Sequence, residues 1–430
     1  MRNHRNFITA LAEAVPGDTS PLIFRKWAAI STIAGALGRK AYFERGTYRL
    51  RPNLFICLVG DSGIGKTQAL SLGFGKVFSY LIAPFTSDSE IQEEYKRVWS
   101  RYITPPSKPL RFINERITGP QLEVRMSQIS EPVDMMQENS FDHVEYEAPL
   151  TLITREFGVL VSRTNETLHT FLTDVWDCNP TAGSDLKTGG THIVRGPCLN
   201  WISCAVPTEF TRNMPENAQE QGLLSRIIPV YYTGERPLQD LWYGECSKSK
   251  LDLLREDLGA IAMMRGNFDF DCIQTMEFVR ADIQSDIKPI PTDPKMKEYN
   301  SRRHAHLLKI AMCVAAAKHN ELVITKEDWL EARAYLLEAE KFMPKVLASF
   351  GVRDAGQTTD KFYNHVRDYC RLNNKSFIPV TAAKRFILSI VRHPSEINNV
   401  IDAAISAGTI MWADDTKKGL RWIGDGAPTT

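Results

Sequence analysis

The residues from Gly60 to Thr67, which read Gly-Asp-Ser-Gly-Ile-Gly-Lys-Thr, have the types and spacing of a phosphate-binding loop. In such a loop the glycines turn backbone N–H groups towards an anion, and the start of the following helix adds positive potential. Lys66 would reach the β- and γ-phosphates, and the Thr67 hydroxyl would hold Mg²⁺. We therefore expect ATP and Mg²⁺ as cofactors. The expected nucleotide-binding residues are Gly60, Asp61, Ser62, Gly63, Ile64, Gly65, Lys66, Thr67 and Gln68.

The segments on either side of this loop support that interpretation. Residues 53–59 form a continuous apolar run that predicts a buried parallel strand, and residues 68–82 predict an amphipathic helix. Strand, glycine-rich loop and helix is the arrangement that phosphate binding requires. A glycine-rich turn without a nucleotide is the simpler alternative.

Nucleotide hydrolysis requires a carboxylate near the γ-phosphate, usually at the end of the strand beside the phosphate-loop strand. Glu156, which follows a predicted strand over 149–154, is the candidate for this role. The usual ending of such a strand is Asp-Glu, whereas here Arg155 precedes Glu156. Glu156 is then either the catalytic glutamate, with Mg²⁺ held mainly by Thr67 and water, or itself a metal ligand. A helix-capping role for Glu156 is the structural alternative.

Four further polar residues could act on the nucleotide. Ser203 or Thr208, on or after a predicted strand over 199–204, could contact the γ-phosphate or the attacking water, or could simply be satisfied by the backbone. Arg226 precedes a predicted strand over 227–232, where an arginine can stabilise charge on a neighbouring subunit's nucleotide or form a surface ion pair. Arg303 opens a predicted helix and could reach phosphates of its own subunit, or face solvent.

Residues 183–195 predict a β-hairpin, because Gly189-Gly190 suits a two-residue turn. Lys187 and His192 lie near its tip, and Arg195 lies at its base. In a ring-shaped assembly such a hairpin would contact the phosphates of DNA in the central channel. A surface hairpin without that role is the alternative.

The composition excludes several classes of protein. The chain has 430 residues, 43% hydrophobic and 24% charged, with a net charge of only +1, so nucleic-acid contacts must come from local patches. The 8 cysteines contain no C-x-x-C pair, which argues against a zinc site or a disulfide framework. No apolar run approaches the length of a membrane span, and no signal-peptide core is present. We expect a cytoplasmic protein of a bacterial host cell.

The pattern along the chain predicts an α/β protein with four regions. Residues 1–50 predict a helical segment and a hairpin, and 51–236 predict strands alternating with helices around a parallel sheet. The acidic stretch 130–147 predicts a loop. Residues 237–350 predict a helical lid, and 351–358 a linker. Residues 359–424 predict three helices and a two-stranded ribbon, a winged-helix-like domain in which basic residues outnumber acidic ones.

In this order of elements the chain resembles the AAA+ ATPases, in the branch with a β-hairpin before the first sensor, which includes superfamily 3 and minichromosome-maintenance-type helicases. Residues 171–178, 197–200 and 222–226 are similar to phage and mobile-element replicative helicases. The resemblance implies that Lys66 and Thr67 are Walker A, and Glu156 is Walker B. It further implies that Ser203 is the first sensor, Arg226 the arginine finger and Arg303 the second sensor.

The resulting expectation is an ATP-driven DNA helicase or translocase that forms a homo-hexameric ring in phage or mobile-element DNA replication. Its partners would be single-stranded or forked DNA, and a separate primase or other replication protein, with no membrane involved. One alternative is a helicase loader or remodeller that does not unwind DNA. A second is a nucleotide-gated switch in which Arg155 weakens hydrolysis.

Overall fold

The chain folds into two units, Met1–Val346 and Leu347–Thr430. The computed structural model describes residues 2–46, 48–81, 111–114, 116–132, 145–162, 165–183, 185–186, 190–214, 222–235, 244–285, 296–347, 352–391, 396–414 and 416–423. None of the helices in these ranges has the length and apolar character that a bilayer span requires.

The strands of the described residues are β1 Ala41–Arg45, β2 Tyr48–Leu50, β3 Phe55–Val59, β4 Phe112–Ile113, β5 Glu131–Pro132, β6 Tyr146–Thr154, β7 Thr181–Ala182, β8 Asp185–Leu186, β9 Gly190–Thr191, β10 Val194–Arg195, β11 Pro197–Ala205, β12 Ile227–Tyr231, β13 Gly266–Phe270, β14 Val323–Ile324, β15 Ile378–Pro379, β16 Ile410–Trp412 and β17 Gly419–Trp422. The α-helices are α1 Phe7–Ala12, α2 Leu22–Leu37, α3 Lys66–Leu70, α4 Gly119–Gln128, α5 Glu166–Asp177, α6 Pro207–Asn213, α7 Lys248–Ala262, α8 Ile273–Ser285, α9 Lys297–Lys318, α10 Lys326–Glu340, α11 Met343–Leu347, α12 Val352–Leu372, α13 Val380–Ile390 and α14 Glu396–Ser406.

The main sheet of the first unit is parallel, with the order β12-β3-β11-β6-β4, and β5 pairs with β6 in the antiparallel sense. The predicted α/β class with a parallel sheet is therefore confirmed. One expectation is wrong: the strand that precedes Glu156 does not lie beside the phosphate-loop strand β3, because β11 lies between them. The carboxyl ends of these parallel strands meet at one edge of the sheet, and the amino ends meet at the other.

Burial explains why β3 and β11 are continuous apolar runs. Every residue of both strands is buried, as expected for the centre of a parallel sheet that helices cover on both faces. The long helices α2 and α9 are also buried over most of their length. The helix predicted over 68–82 begins at Lys66, continues as a π-helical segment Ser71–Val77, and ends as a 3₁₀ turn at Leu81; residue 82 lies outside the described part.

A second, four-stranded sheet has the order β14-β13-β1-β2. The predicted hairpin β1–β2 is confirmed, and β1 pairs in parallel with β13, with Phe43 opposite Phe268. The prediction of a helical region over 237–350 is therefore wrong in part, since β13 and β14 interrupt it. These strands were missed because both are short and their pairing is distant in sequence: β13 pairs with β1, more than two hundred residues earlier, and β14 pairs with β13, some fifty residues earlier.

Two predicted irregular segments also differ from the structure. Residues 131–132 and 146–147 of the expected acidic loop pair as strands, while 133–144 lie outside the described residues. The expected linker 351–358 overlaps α12, which begins at Val352.

The second unit contains α12, α13, α14 and an antiparallel sheet of order β15-β17-β16. Its core gathers one apolar face from each helix with residues of the sheet. Core members include Phe362, Ile387, Ile401 and Trp422, all of which are buried.

Candidate functional site

The glycine-rich loop leaves the carboxyl end of β3 and enters α3. Gly63 and Gly65 have φ values of +80° and +94°, which glycine adopts without the steric cost that a side chain would add. A Cβ at Gly63 would meet no atom within 4 Å, so open space lies above the loop. Gly60 donates its N–H to the carbonyl of Ala205 at 3.2 Å, which ties the start of the loop to the end of β11.

Lys66 lies folded back over this loop. Its Nζ donates to the carbonyl oxygens of Gly60 at 2.6 Å and Asp61 at 2.7 Å. Burial lowers the pKa of Lys66, an effect opposed by nearby groups that include Asp61 and Glu209. An ammonium group whose partners here are loop carbonyls is ready to exchange them for phosphate oxygens.

The residues of the loop fit a nucleoside triphosphate. The positive-φ glycines and the space above Gly63 form a cradle that side chains would fill. Thr67 is exposed at the start of α3, where its hydroxyl can face a metal ion. Gln68 points elsewhere, since its Nε2 donates to Asp18 Oδ1 at 2.9 Å. No cluster of three or more His, Cys, Asp or Glu side chains suited to a metal occurs in the described part of the chain.

Glu156 lies at the same edge of the sheet as the loop. Thr154, the last residue of β6, lies opposite Ser203 of β11, and Glu156 follows two residues later, near the level of Ala205 and Val59. Glu156 and Arg155 are both exposed. They line a cavity of about 400 Å³ at the ends of β4 and β6; its other lining residues are Asn114, Arg116, Ile153, Thr154 and Val159.

Ser203 and Thr208 occupy different environments. Ser203 is fully buried within β11, and its hydroxyl donates to the Ile56 carbonyl at 3.3 Å. The Ser203 hydroxyl is thus bonded to the backbone, as the alternative interpretation expected, and it does not face the loop. Thr208 is exposed in the first turn of α6, at the edge where the loop lies.

Arg226 lies immediately before β12, whose first residue is opposite Phe55 at the start of β3. The five residues of β3 separate this level from the loop, a distance of roughly 16 Å at about 3.3 Å per residue. The Arg226 side chain is 7% exposed, forms an ion pair with Asp177 and donates to the Gly222 carbonyl at 2.8 Å. Arg226 is therefore in an ion pair, as the alternative expected, but the side chain is buried and not on the surface.

Arg303 lies at the amino edge of the sheet with Arg226, not near its own loop. Its guanidinium makes two hydrogen bonds to the buried Glu340, at 2.6 and 3.0 Å. Its helix α9 is fixed at this edge because His306 contacts the Ser225 carbonyl at 2.9 Å and Lys309 donates to the Asn53 carbonyl at 3.0 Å. The expected contact of Arg303 with phosphates of its own subunit does not fit this arrangement. Arg302 is the more accessible of the two arginines, with 35% of its side chain exposed.

The predicted hairpin is present as two short antiparallel ladders, β8–β9 and β7–β10. Its base joins the amino edge of the main sheet, because Ala148 donates to the Gly196 carbonyl at 2.7 Å. Gly190 belongs to β9 rather than to the turn, and Lys187 lies outside the described residues. His192 is half-buried, while the Arg195 guanidinium is exposed and lies 5.0 Å from the Tyr146 ring.

Two acidic residues at these sites were missed by sequence reasoning. Asp177 ends α5 and binds both Arg226 and Arg302. Glu209 lies in the first turn of α6, between the loop and the turn after Glu156. The only available signal for Glu209 was its place just after the predicted strand 199–204.

Fold and site together define an α/β protein with a glycine-rich loop and a glutamate at the carboxyl edge of a parallel sheet. No protein-family model and no curated protein matches the chain.

Proposed function

We propose that this protein is an ATP-driven DNA helicase or translocase with an AAA+ core, acting as a ring in phage or mobile-element DNA replication. The observation that carries the proposal is the open glycine cradle at the carboxyl end of β3, with Lys66 lying across it. Ligands of open α/β sheets bind at this edge, and Glu156 and Thr208 share it.

In this proposal bound ATP and Mg²⁺ supply the phosphoryl group and the charge that activates it. Lys66 would exchange its two loop carbonyls for phosphate oxygens, and the loop N–H groups would donate hydrogen bonds to other phosphate oxygens. The Thr67 hydroxyl would hold the metal. Glu156, exposed after the end of β6, would orient a water molecule and take its proton as the water oxygen bonds to the γ-phosphorus and the bond from that phosphorus to ADP breaks.

The position of Arg226 supports assembly into a ring, for which we propose a homo-hexamer. Arg226 lies at the edge opposite its own loop, so it can act only on the nucleotide of another subunit. A ring supplies such a neighbour at every site. Arg303, held by Glu340, would stabilise helix α9. Arg302, which pairs with Asp177 beside Arg226, would have to leave that partner to contact the phosphate of a neighbouring subunit.

The hairpin gives the proposed motor its DNA contact. It leaves the amino edge of the sheet, away from the nucleotide, with Arg195 exposed at its base and His192 beyond it. Lys187, at the predicted tip, would contact the phosphates of one strand. Because the hairpin directly precedes β11, a shift of that strand upon nucleotide binding would move it.

We propose a winged-helix fold for residues 359–424, with the ribbon β16–β17 as the wing. Lys417 and Lys418 are exposed between these strands. The third helix, α14, exposes Asn398, Asn399 and Asp402 and carries no lysine or arginine. This surface favours contact through the wing, either with the DNA backbone or with a partner such as a separate primase.

One observation favours a second function, a nucleotide-gated switch with weak hydrolysis. Arg155 occupies the position where an acidic residue commonly holds the metal, and it is exposed beside Glu156. Such a switch would bind ATP tightly and turn over negligibly. A helicase loader that hydrolyses ATP only with a partner protein is the other alternative.

The test is strand displacement on a forked DNA duplex by the purified full chain with ATP and Mg²⁺. The proposal predicts unwinding and DNA-stimulated hydrolysis, both abolished in the Lys66→Ala variant. Hydrolysis without unwinding or translocation at any salt concentration contradicts a motor. Stimulation by a replication protein but not by DNA would instead identify a loader, and tight binding without turnover would identify a switch.

A further inference from the structure

Glu209 lies close to the phosphate loop in the fold, and the proposed hydrolysis gives it no role. It is in the first turn of α6, which follows β11 after the single residue Val206. The last residue of β11, Ala205, lies opposite Val59 and accepts the Gly60 N–H at 3.2 Å. Glu209 is therefore only four residues after Ala205, the residue that is hydrogen-bonded to the first residue of the loop.

The Glu209 carboxylate also reaches the turn that follows Glu156. Its Oε1 accepts the backbone N–H of Gly158 at 3.0 Å. A Cβ at Gly158 would lie 3.1 Å from this oxygen and 2.4 Å from Asn213 Nδ2, so the close approach depends on glycine. The rings of Phe157 and Phe210, with centroids 5.1 Å apart, hold the same two segments together.

The Glu209 carboxylate has one oxygen that Gly158 does not bond. The side chain is half-buried. Gly158 is the one hydrogen-bond partner of this carboxylate among the described residues, and it uses Oε1. The second oxygen, Oε2, has no hydrogen-bond partner among the described residues and can accept a bond from a water molecule or bind a cation.

The identity of residue 155 explains why such a carboxylate matters. In phosphate-loop ATPases a strand-end aspartate commonly helps Thr or Ser to hold Mg²⁺. Here that position is Arg155, whose positive charge opposes a metal. Resting on the function proposed above, we infer that Glu209 supplies the missing carboxylate and positions the water shell of Mg²⁺ while holding the Glu156 turn through Gly158.

The experiment measures the equilibrium affinity of the full-length protein for a fluorescent ATP analogue, with and without Mg²⁺, in the wild type and in Glu209→Gln. The glutamine keeps an oxygen for the Gly158 N–H but removes the charge. We expect its Mg²⁺-dependent gain in affinity to fall by about tenfold, the size typical of outer-shell metal partners. The Mg²⁺-free affinity should stay unchanged or rise slightly.

Two further variants separate this role from a structural one. Glu209→Ala also removes the Gly158 contact, so any loss of thermal stability should occur in it and not in Glu209→Gln. Glu277→Gln, at an exposed position on α8, is the matched control and should bind as the wild type does. An unchanged Mg²⁺ dependence in Glu209→Gln overturns the inference. A wild type that binds no nucleotide contradicts the proposed function itself, and the inference fails with it.

Discussion

Arg226 forms an ion pair with Asp177 of its own chain, and Arg302 contacts the other carboxylate oxygen of Asp177 at 3.4 Å. Both guanidinium groups also lie over the Trp176 ring, at 5.6 and 5.9 Å from its centroid. The end of α5, the turn before β12 and the lid helix α9 therefore meet at one acidic residue. In the proposed ring, Arg226 would exchange Asp177 for a neighbouring subunit's phosphate when subunits assemble.

We predict that Arg226→Ala lowers ATP turnover by about 10³-fold, the lower end of the effect of an arginine finger, while changing nucleotide affinity little. Mixing tests whether it acts between subunits. Arg226→Ala subunits keep an intact loop, and Lys66→Ala subunits keep the finger, so each is inactive alone and mixed assemblies should recover part of the activity.

Asp177→Asn is the control for this prediction. It removes the acidic partner without removing the finger, so turnover in the assembled protein should be retained. If mixing restores no activity and Asp177→Asn is as inactive as Arg226→Ala, the ion pair is structural and Arg226 is not a finger.

The buried pair Arg303–Glu340 predicts a stability effect that is separable from catalysis. Arg303→Met leaves the fully buried Glu340 carboxylate without its guanidinium, which should cost about 3–5 kcal/mol in the free energy of unfolding. The double variant Arg303→Met with Glu340→Leu should recover most of this loss. Urea unfolding measures both, and equal destabilisation in the single and double variants would show that the loss does not come from the unpaired charge of Glu340.

Arg302→Ala should change ATP turnover but not stability, the opposite of what we expect for Arg303→Met. Its ion pair is partly exposed, so its loss should change stability by less than about 1 kcal/mol. A fall in ATP turnover at unchanged stability would identify Arg302 as the lid residue that reaches phosphate. Unchanged turnover would exclude that role.

His306 predicts acid sensitivity. Burial lowers the pKa of His306 to about 3, although its hydrogen bond to Ser225 opposes the shift. The unfolded chain therefore binds a proton that the folded chain rejects, and His306 destabilises the fold as the pH falls from about 6.5 towards 3. Relative to His306→Gln, the wild type should lose stability with a slope approaching about 1.4 kcal/mol per pH unit in that window.

Chemical unfolding at several pH values tests this. Above pH 7 the stability difference between the wild type and His306→Gln should be constant, which serves as the internal control. A difference that is also constant between pH 6.5 and 4.5 would show that the fold accepts a charged His306.

The sequence predicted the strands of the main sheet because they are continuous apolar runs separated by helical patterns. Their order in the sheet, with β11 between β3 and β6, does not follow from local pattern. The π-helical continuation of α3 and the second sheet were not predictable in this way. β13 and β14 are short and gain their stability from distant partners, β1 above all. Their existence depends on tertiary pairing that periodicity does not report.

For the candidate site, the phosphate loop could be located because its glycines carry a local backbone requirement. The environments of Ser203, Arg226 and Arg303 could not, since burial and ion pairing are set by residues far away in the chain, such as Ile56, Asp177 and Glu340. Glu209 was missed for the same reason. Its partner Gly158 comes from a segment 51 residues earlier.

The proposed DNA contact of the hairpin predicts a salt effect. Arg195→Ala should weaken binding to single-stranded DNA and reduce the slope of log affinity against log salt by about 0.7, the value for one lost phosphate contact on a single strand. Arg280→Ala, an exposed arginine on α8, is the matched control and should leave the slope unchanged. Equal slopes for the wild type, Arg195→Ala and Arg280→Ala would show that Arg195 does not contact DNA phosphates.

Binding of a triphosphate at the loop before Lys66 can be measured by isothermal titration calorimetry of the full-length protein with ATP and Mg²⁺. We expect saturable binding by the wild type and a loss of at least about tenfold in Lys66→Ala. The fold of this variant should be intact, because the bonds of Lys66 to described residues are to loop carbonyls. Absence of binding by the folded wild type, or equal affinity in the folded variant, would show that the loop is not a nucleotide site.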